Sequence, residues 1–398
     1  MATQSRGAAM YYTRQTEKQI KSLETGFPVL AITGPRQSGK TTLMKHYFSK
    51  YSYFNLENPQ VLSRIEVDPQ TFLDQNSGPI LIDEVQRMPQ LLSYIQVHVD
   101  AQQVMGSIVV SGSENLLLAE SISQSLAGRA AYQVVLPFSI EELKNNSLLT
   151  TDAKKQMYKG FYPALYSRDI EPNTYYNQYL ATYIERDVRQ IKNIADLSLF
   201  RKFLGLLAGR VGQILNVSSL ANDTGISPNT AEQWISVLEA SYIVYRLRPY
   251  YKNMGKRLIK SPKLYFYDTG LVSALLGIAS ATELATHYAM GNIFENMIVI
   301  DVLKHLYNHG QRPDIFFYRD SNGREIDLLY ERGEKIIPIE IKSSSTFHNS
   351  FLDGLSYWRK NIDSQMRGYV IYAGKSGQRV GQDELVAWHE LGEILRTI

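Results

Sequence analysis

The stretch LAITGPRQSGKTTL, Leu30 to Leu43, decides the fold. Its apolar lead-in from Phe27 to Thr33 suits a strand buried on both faces. The lead-in enters Gly34, Pro35, Arg36, Gln37, Ser38, Gly39, Lys40, Thr41 and Thr42, the pattern G-x-x-x-x-G-K-[ST], and LMKHYFS continues as a helix. Gly34 and Gly39 let backbone N–H groups turn inward around phosphates. Lys40 reaches the β- and γ-phosphates, and the Thr41 hydroxyl suits a Mg²⁺ position. The helix N-terminus adds partial positive charge. Residues 34–42 are therefore expected to line a nucleotide.

Downstream, YSYFNLEN reads as a second strand, and GPILIDEVQRM as a third that ends in Asp83 and Glu84. A carboxylate at such a strand tip holds Mg²⁺ through water, which is the role expected of Asp83. Glu84 is expected to orient or deprotonate the attacking water. A further strand, GSIVVSGSEN, ends in Ser111, Ser113, Glu114 and Asn115, polar residues that either sense the γ-phosphate or close a turn. Ser113 is the expected contact. Arg129, just before another strand-like run, is a finger onto a neighbouring subunit's phosphate or a surface arginine. The expectation of a homo-oligomer rests on it.

GPRQSGKTTL, LIDEVQ, SGSENLLL and SLAGR together resemble the AAA-type ATPases of a large prokaryotic group, whose members carry a fused C-terminal region of unknown function. The likeness continues through ATYIERDVRQ, LFRKFLGLLAGRVGQILNVSSLANDTGIS and SPKLYFYDTGLVSALLG, nearly the whole chain. It implies an α/β P-loop NTPase domain with a parallel sheet, using ATP and Mg²⁺. One departure concerns Ser111-Gly112-Ser113-Glu114, where the group reads Thr-Gly-Ser and then a small residue. Which side chain faces the phosphate is left open.

At 398 residues the chain is long enough for two or three domains. Its composition, 44% hydrophobic and 20% charged, is that of a soluble globular protein, with no apolar run long enough to span a bilayer. The N-terminal stretch has no apolar h-region, which argues against an export signal and for the cytoplasm. Cysteine is absent, excluding disulfides, thiolate metal sites and Cys nucleophiles. The net charge of +3 requires any nucleic-acid affinity to come from a local patch.

YNQYLATYIERDVRQI is amphipathic at helical spacing, with Tyr179, Tyr183, Val188 and Ile191 on one stripe. Further on, VSSLANDTGISPNTAEQWISVLEASYIV predicts a helix-turn-helix: Ser218 to Asp223, a turn at Gly225, then Pro228 to Glu239 capped by Ser227. YIVYRLRPYY would begin the wing of a winged helix. The run 246–263 gathers Arg246, Arg248, Lys252, Lys256, Arg257, Lys260 and Lys263 around Tyr250 and Tyr251. Such a run neutralises phosphates and stacks on bases. The second helix carries Glu232 and Glu239 and no Lys or Arg, a poor face for a major groove. DNA contact through the wing and contact with an acidic protein both stay open.

REIDLLYERGEKIIPIEIKSSS reads as a hairpin turning at Gly333. Asp327 then faces Glu340, and Glu325 faces Lys342. Like charges so placed destabilise a sheet, and a bound cation would resolve the conflict. The pattern resembles the PD-(D/E)xK nucleases. That resemblance implies a second Mg²⁺ held by Asp327 and Glu340, with Lys342 assisting water and Glu295, on the helix GNIFENMIVIDVLKHLY, as a further acid. Against it, Lys342 pairs with Glu325 instead, or Pro338 marks an edge strand or a bulge. Folds of this kind also serve as binding modules.

The expected division is an ATPase domain over 1–145, a helical connector over 146–199, a winged helix over 200–280 and an α/β restriction-endonuclease-like domain over 281–398. The leading expectation is an ATPase that moves or regulates its C-terminal domains on DNA. Its rivals are a nucleotide-gated scaffold holding a protein partner and an ATP-controlled nuclease.

Overall fold

The computed structural model describes residues 11–76, 78–112, 125–184, 196–250, 260–363 and 366–398. The chain forms two compact units. The first is Met1–Pro137 with Ala240–Tyr242 and Leu306–Gln311, and the second is Phe138–Glu239, Ile243–His305 and Arg312–Ile398.

In the first unit five strands form a sheet: β1 (Val29–Thr33), β2 (Ser52–Asn55), β3 (Ile80–Asp83), β4 (Ile108–Ser111) and β5 (Ala130–Val134). Their order is β2-β3-β4-β1-β5, and every pairing is parallel. The two-residue period of a strand sorts β1 between two cores. Val29 and Ala31 pack with Ile80, Ile82, Leu92 and Ile95. Leu30 and Ile32 pack on the opposite face with Ile20, Leu43 and Met44. All five residues of β1 are buried, as a strand covered by helices on both faces requires. Because β4 lies between β1 and β3, the loops leaving β1 and β3 border one crevice at the carboxyl ends of the strands.

In the second unit the helices Leu197–Ala208, Val217–Thr224 and Pro228–Ala240 follow one another. Gly225, at a φ of 91°, ends the second helix in the left-handed conformation. The Ser227 hydroxyl then accepts from the Thr230 N–H at 3.0 Å to start the third. Trp234 meets the rings of Phe200 and Phe203 edge-on, joining the third helix to the first. β6 (Val244–Pro249) and β7 (Lys263–Phe266) then pair antiparallel.

β6 also pairs with β8 (Ile315–Arg319), so the hairpin is one end of an eight-stranded sheet. The remaining strands are β9 (Glu325–Arg332), β10 (Lys335–Lys342), β11 (Tyr369–Tyr372), β12 (Gln378–Val380) and β13 (Asp383–Ala387), in the order β12-β13-β11-β10-β9-β8-β6-β7. β9 and β10 pair from Lys335 opposite Arg332 to Ile339 opposite Leu328, turning at Gly333, whose φ is 63°. That is the expected register, and the ladder ends one position before Asp327 and Glu340. The edge-strand reading of Pro338 is corrected: β10 is interior, between β9 and β11. Its ladder to β11 starts at Ile339, so the missing N–H of Pro338 falls before that ladder. Among the described residues no helix is long and apolar enough to cross a membrane.

One buried acid sets a pH dependence. The Asp301 carboxylate accepts from the Ile140 N–H at 2.7 Å. Burial lifts its pKa from the ordinary 3.8 to about 6, against the opposing pull of Lys304. A raised carboxyl pKa stabilises the fold below the unfolded value and loses that contribution as pH climbs through the folded one. Asp301→Asn keeps an acceptor for Ile140 and removes the ionisation. Denaturant titrations should show it gaining on the wild-type chain, on the order of 2 kcal/mol, between about pH 4 and pH 7. Parallel pH profiles for the two proteins would refute this.

Candidate functional site

The crevice is built from the loop after β1. At Gly34, with a φ of 140°, a Cβ would lie 2.2 Å from the Val135 carbonyl oxygen, so only glycine lets the loop pass β5 this closely. Gly39, at a φ of 95°, caps the helix Lys40–Tyr47 in a conformation that again favours glycine. The Lys40 ammonium folds back and donates to the Gly34 and Pro35 carbonyls, each at 2.8 Å. Burial lowers its pKa from 10.5 to about 8. Glu84 and Asp83 pull it back up, and Arg36 adds to the lowering.

Asp83 is the hub. Its Oδ2 accepts from the Thr41 hydroxyl at 3.0 Å and from the Tyr53 hydroxyl at 2.8 Å, and its Oδ1 accepts from Ser111. Glu84 follows in the left-handed conformation, at a φ of 60°, and its Oε2 accepts from the Gln86 amide. Arg36 lies 3.9 Å from Glu57, at the rim, and Thr42 is exposed on the first turn of the helix. The loop fits a phosphate and its cation on its own chemistry. The Ser38 hydroxyl and the Gln37 side-chain amide oxygen are buried without a hydrogen-bond partner. Thr41 and Asp83 supply the oxygen donors that a hard cation takes.

Sequence spacing thus brings Lys40, Thr41, Asp83 and Glu84 to one crevice. Ser113, with Glu114 and Asn115, lies outside the described residues, and Ser111 is engaged with Asp83. Arg129 lies outside this crevice. It precedes β5 at the amino-terminal end of the sheet, the end away from the loop. Its guanidinium grips both carboxylate oxygens of Asp100, at 2.5 and 2.8 Å. A finger would exchange this exposed pair for a neighbouring subunit's phosphate.

Three partners carry no motif. Arg14 donates to the Ser38 and Leu136 carbonyls. Tyr53 holds Asp83. Tyr242, in the same unit, shares a 3.3 Å hydrogen bond with Thr33, the last residue before the loop.

The C-terminal acids are arranged otherwise than expected. Lys342 lies 2.5 Å from Glu340 and 3.4 Å from Asp327, while Glu325 pairs with Lys263 and Arg319. The Lys342–Glu325 pair is therefore absent. Burial and the neighbouring Asp327 push the Glu340 pKa up, against the opposing pull of Lys342. Lys342 sets a positive charge against both carboxylates. Glu295 is drawn aside. It accepts from the Lys263 ammonium at 2.8 Å and from the Tyr265 hydroxyl at 2.6 Å. Burial raises Glu295 to about 7. Among the described residues no three His, Asp or Glu side chains are grouped to hold a metal ion. Lys263 supplies the positive charge beside Glu295.

The basic run is also depleted at both ends. Arg246 is paired with Glu232 and Glu239, and Lys263 is buried between Glu295 and Glu325. Arg248 and Lys260 are exposed. Tyr251, Lys252, Lys256 and Arg257 lie outside the described residues, as do Val188 and Ile191 of the amphipathic stripe.

Three family models match the chain: an AAA domain over residues 26–144, a domain of unknown function (DUF8612) over 150–282 and another (DUF4143) over 290–391. The uncharacterized protein Rv2008c of Mycobacterium tuberculosis is 30% identical over 322 residues, which is 80% of this chain and 71% of the relative. An uncharacterized protein of Haemophilus influenzae is 22% identical over 379 residues, 87% of this chain and 90% of the relative. Among solved structures, the Walker-type ATPase paby2304 of Pyrococcus abyssi aligns with a TM-score of 0.37 at 14% identity. That alignment covers 66% of this chain and 94% of the other. RuvB of Thermotoga maritima aligns with a TM-score of 0.30 at 17% identity, over 59% and 90%. Scores this low carry no argument. The sequence matches do: with an AAA P-loop ATPase domain ahead of its domains of unknown function, the chain belongs to the family of the mycobacterial protein Rv2008c.

Proposed function

We propose that the protein binds and hydrolyses ATP with Mg²⁺ and couples turnover to the binding of DNA. The observation that carries the ATPase reading is the 3.0 Å contact between Thr41, behind the phosphate loop, and Asp83, at the tip of β3. Mg²⁺ bound there would spread the charge of the β- and γ-phosphates. Lys40 gives up the loop carbonyls to meet the phosphates, and the loop's N–H groups cradle them. Asp83, fixed by three hydroxyls, keeps its oxygens toward the cation position. Glu84, next along the chain, takes the proton of the attacking water.

Coupling to DNA draws on the helix-turn-helix followed by the β6–β7 hairpin, read as a winged helix, and on Arg248 and Lys260. A duplex added to the full chain is expected to raise ATP turnover several-fold, with binding that weakens steeply as salt increases. A second reading is favoured by the pairing of Arg246 and Lys263 inside the protein, which leaves fewer charges for phosphate. On that reading the ATP site is a switch and the segment holds a protein partner. Hydrolysis unchanged by DNA at low salt would exclude coupling and leave the switch.

The nuclease alternative keeps Asp327, Glu340 and Lys342 as the cutting residues. It requires plasmid nicking that Glu340→Ala abolishes and Lys40→Met only slows.

A further inference from the structure

We infer that Arg14 is a positioning residue for the phosphate loop, holding the Ser38 carbonyl outward so that the Gly39 N–H faces the phosphates. The inference rests on the ATP reading of the loop and concerns a residue ahead of the matched AAA domain, which starts at residue 26. Arg14 is 5% exposed. One arm of its guanidinium donates to the Ser38 carbonyl at 2.9 Å and the other to the Leu136 carbonyl at 2.6 Å.

A trans peptide is planar, so the carbonyl of Ser38 and the N–H of Gly39 point in opposite directions. Fixing one fixes the other. A phosphate cradle works only when the carbonyls of its loop are turned away and the N–H groups inward. Lys40 occupies the carbonyls of Gly34 and Pro35, at the near end of the loop. Once Lys40 turns to a phosphate, those two bonds are surrendered, while the Arg14 bond to Ser38 is free to persist.

The second arm sets where the anchor stands. Leu136 follows β5, and the Val135 N–H donates to the Thr33 carbonyl at 2.8 Å. Arg14 therefore ties the far end of the loop to the strand against which its near end is already packed. The fork of a guanidinium reaches two carbonyls at once, which a lysine ammonium on a shorter stem does not match. The backbone N–H of Arg14 donates to Glu17 Oε1 at 2.9 Å, and the Tyr11 hydroxyl donates to the same oxygen.

The test uses the full chain as wild type, Arg14→Lys, Arg14→Ala and Lys40→Met. The readings are fluorescent-ATP binding with Mg²⁺, KM and kcat for ATP, and melting without nucleotide. The expected result is a KM for ATP raised about tenfold to a hundredfold in both Arg14 variants, a larger change than in kcat. Low concentrations of guanidinium ion should restore Arg14→Ala and leave Lys40→Met unrestored. A purely structural role would lower melting and the active fraction while leaving KM where it was, and that outcome overturns the inference. If Arg14→Ala does not fold, a wild-type KM in Arg14→Lys overturns it equally. Wild-type protein that binds no ATP would sink the reading of the site itself, and the inference with it. Wild-type binding beside unaffected Arg14 variants would sink the inference alone.

Discussion

Glu84→Gln is expected to bind ATP like the wild-type chain and to hydrolyse it on the order of 10² to 10⁴ times more slowly. The substitution keeps size and the ability to accept from the Gln86 amide, and removes only the capacity to take a proton. Backbone geometry singles this residue out. A glutamate at a φ of 60° costs about 1 kcal/mol or more, which the surrounding structure has to over-determine. Asp83 ends the strand with its carboxylate locked by Thr41, Tyr53 and Ser111. The left-handed turn that follows sends the next side chain off the line of the strand. On the proposed reading, adjacent residues would then supply one carboxylate for the metal and a separate one for the water without competing for one position. Single-turnover phosphate release, read beside fluorescent-nucleotide binding, checks this. Turnover near the wild-type rate would remove Glu84 from the role of base.

What could be read from the chain follows from the range of the forces involved. The phosphate loop, the acid at the tip of β3, the Gly225 turn and the β9–β10 register are local features, fixed by a period of two, a positive φ or a cap. They are visible in a dozen residues. Arg14, Tyr53, Tyr242 and Lys263 act through partners brought near only by folding, Tyr242 reaching Thr33 across 209 positions. The two ends of the basic run are decided in the same way. Counting charges between Glu239 and Asp268 finds no acid, yet Arg246 meets Glu232 and Glu239 of the preceding helix, and Lys263 meets Glu295 and Glu325 from further on. A lysine buried among carboxylates is stabilised by them, so its charge is spent inside the protein. Arg129 repeats the point at the surface, where Asp100 claims it.

Lys40→Met is expected to weaken ATP binding by about a hundredfold or more, and to abolish a proton uptake that accompanies binding in the wild-type chain. Without nucleotide, burial holds the Lys40 pKa near 8, so above that pH the amine is largely neutral and rests on the Gly34 and Pro35 carbonyls. Phosphate charge beside it favours the ammonium, so binding near pH 8.5 must draw a proton from solution. ATP affinity therefore falls as pH rises through 8. Calorimetry in buffers of different ionisation heat reads the uptake directly: a fraction of a proton for wild type, none for Lys40→Met. The nucleotide-free chain gives an independent check with its own sign. A lysine whose pKa is depressed by folding penalises the fold while it is charged, and the penalty lifts as pH climbs from about 8 toward the unfolded value of 10.5. Relative to Lys40→Met, the wild-type chain should gain on the order of 3 kcal/mol over that span. Equal uptake in the two proteins, or a variant that still binds ATP tightly, would place the titrating group elsewhere. The crevice between β1 and β3 would then need another cation to meet the phosphates.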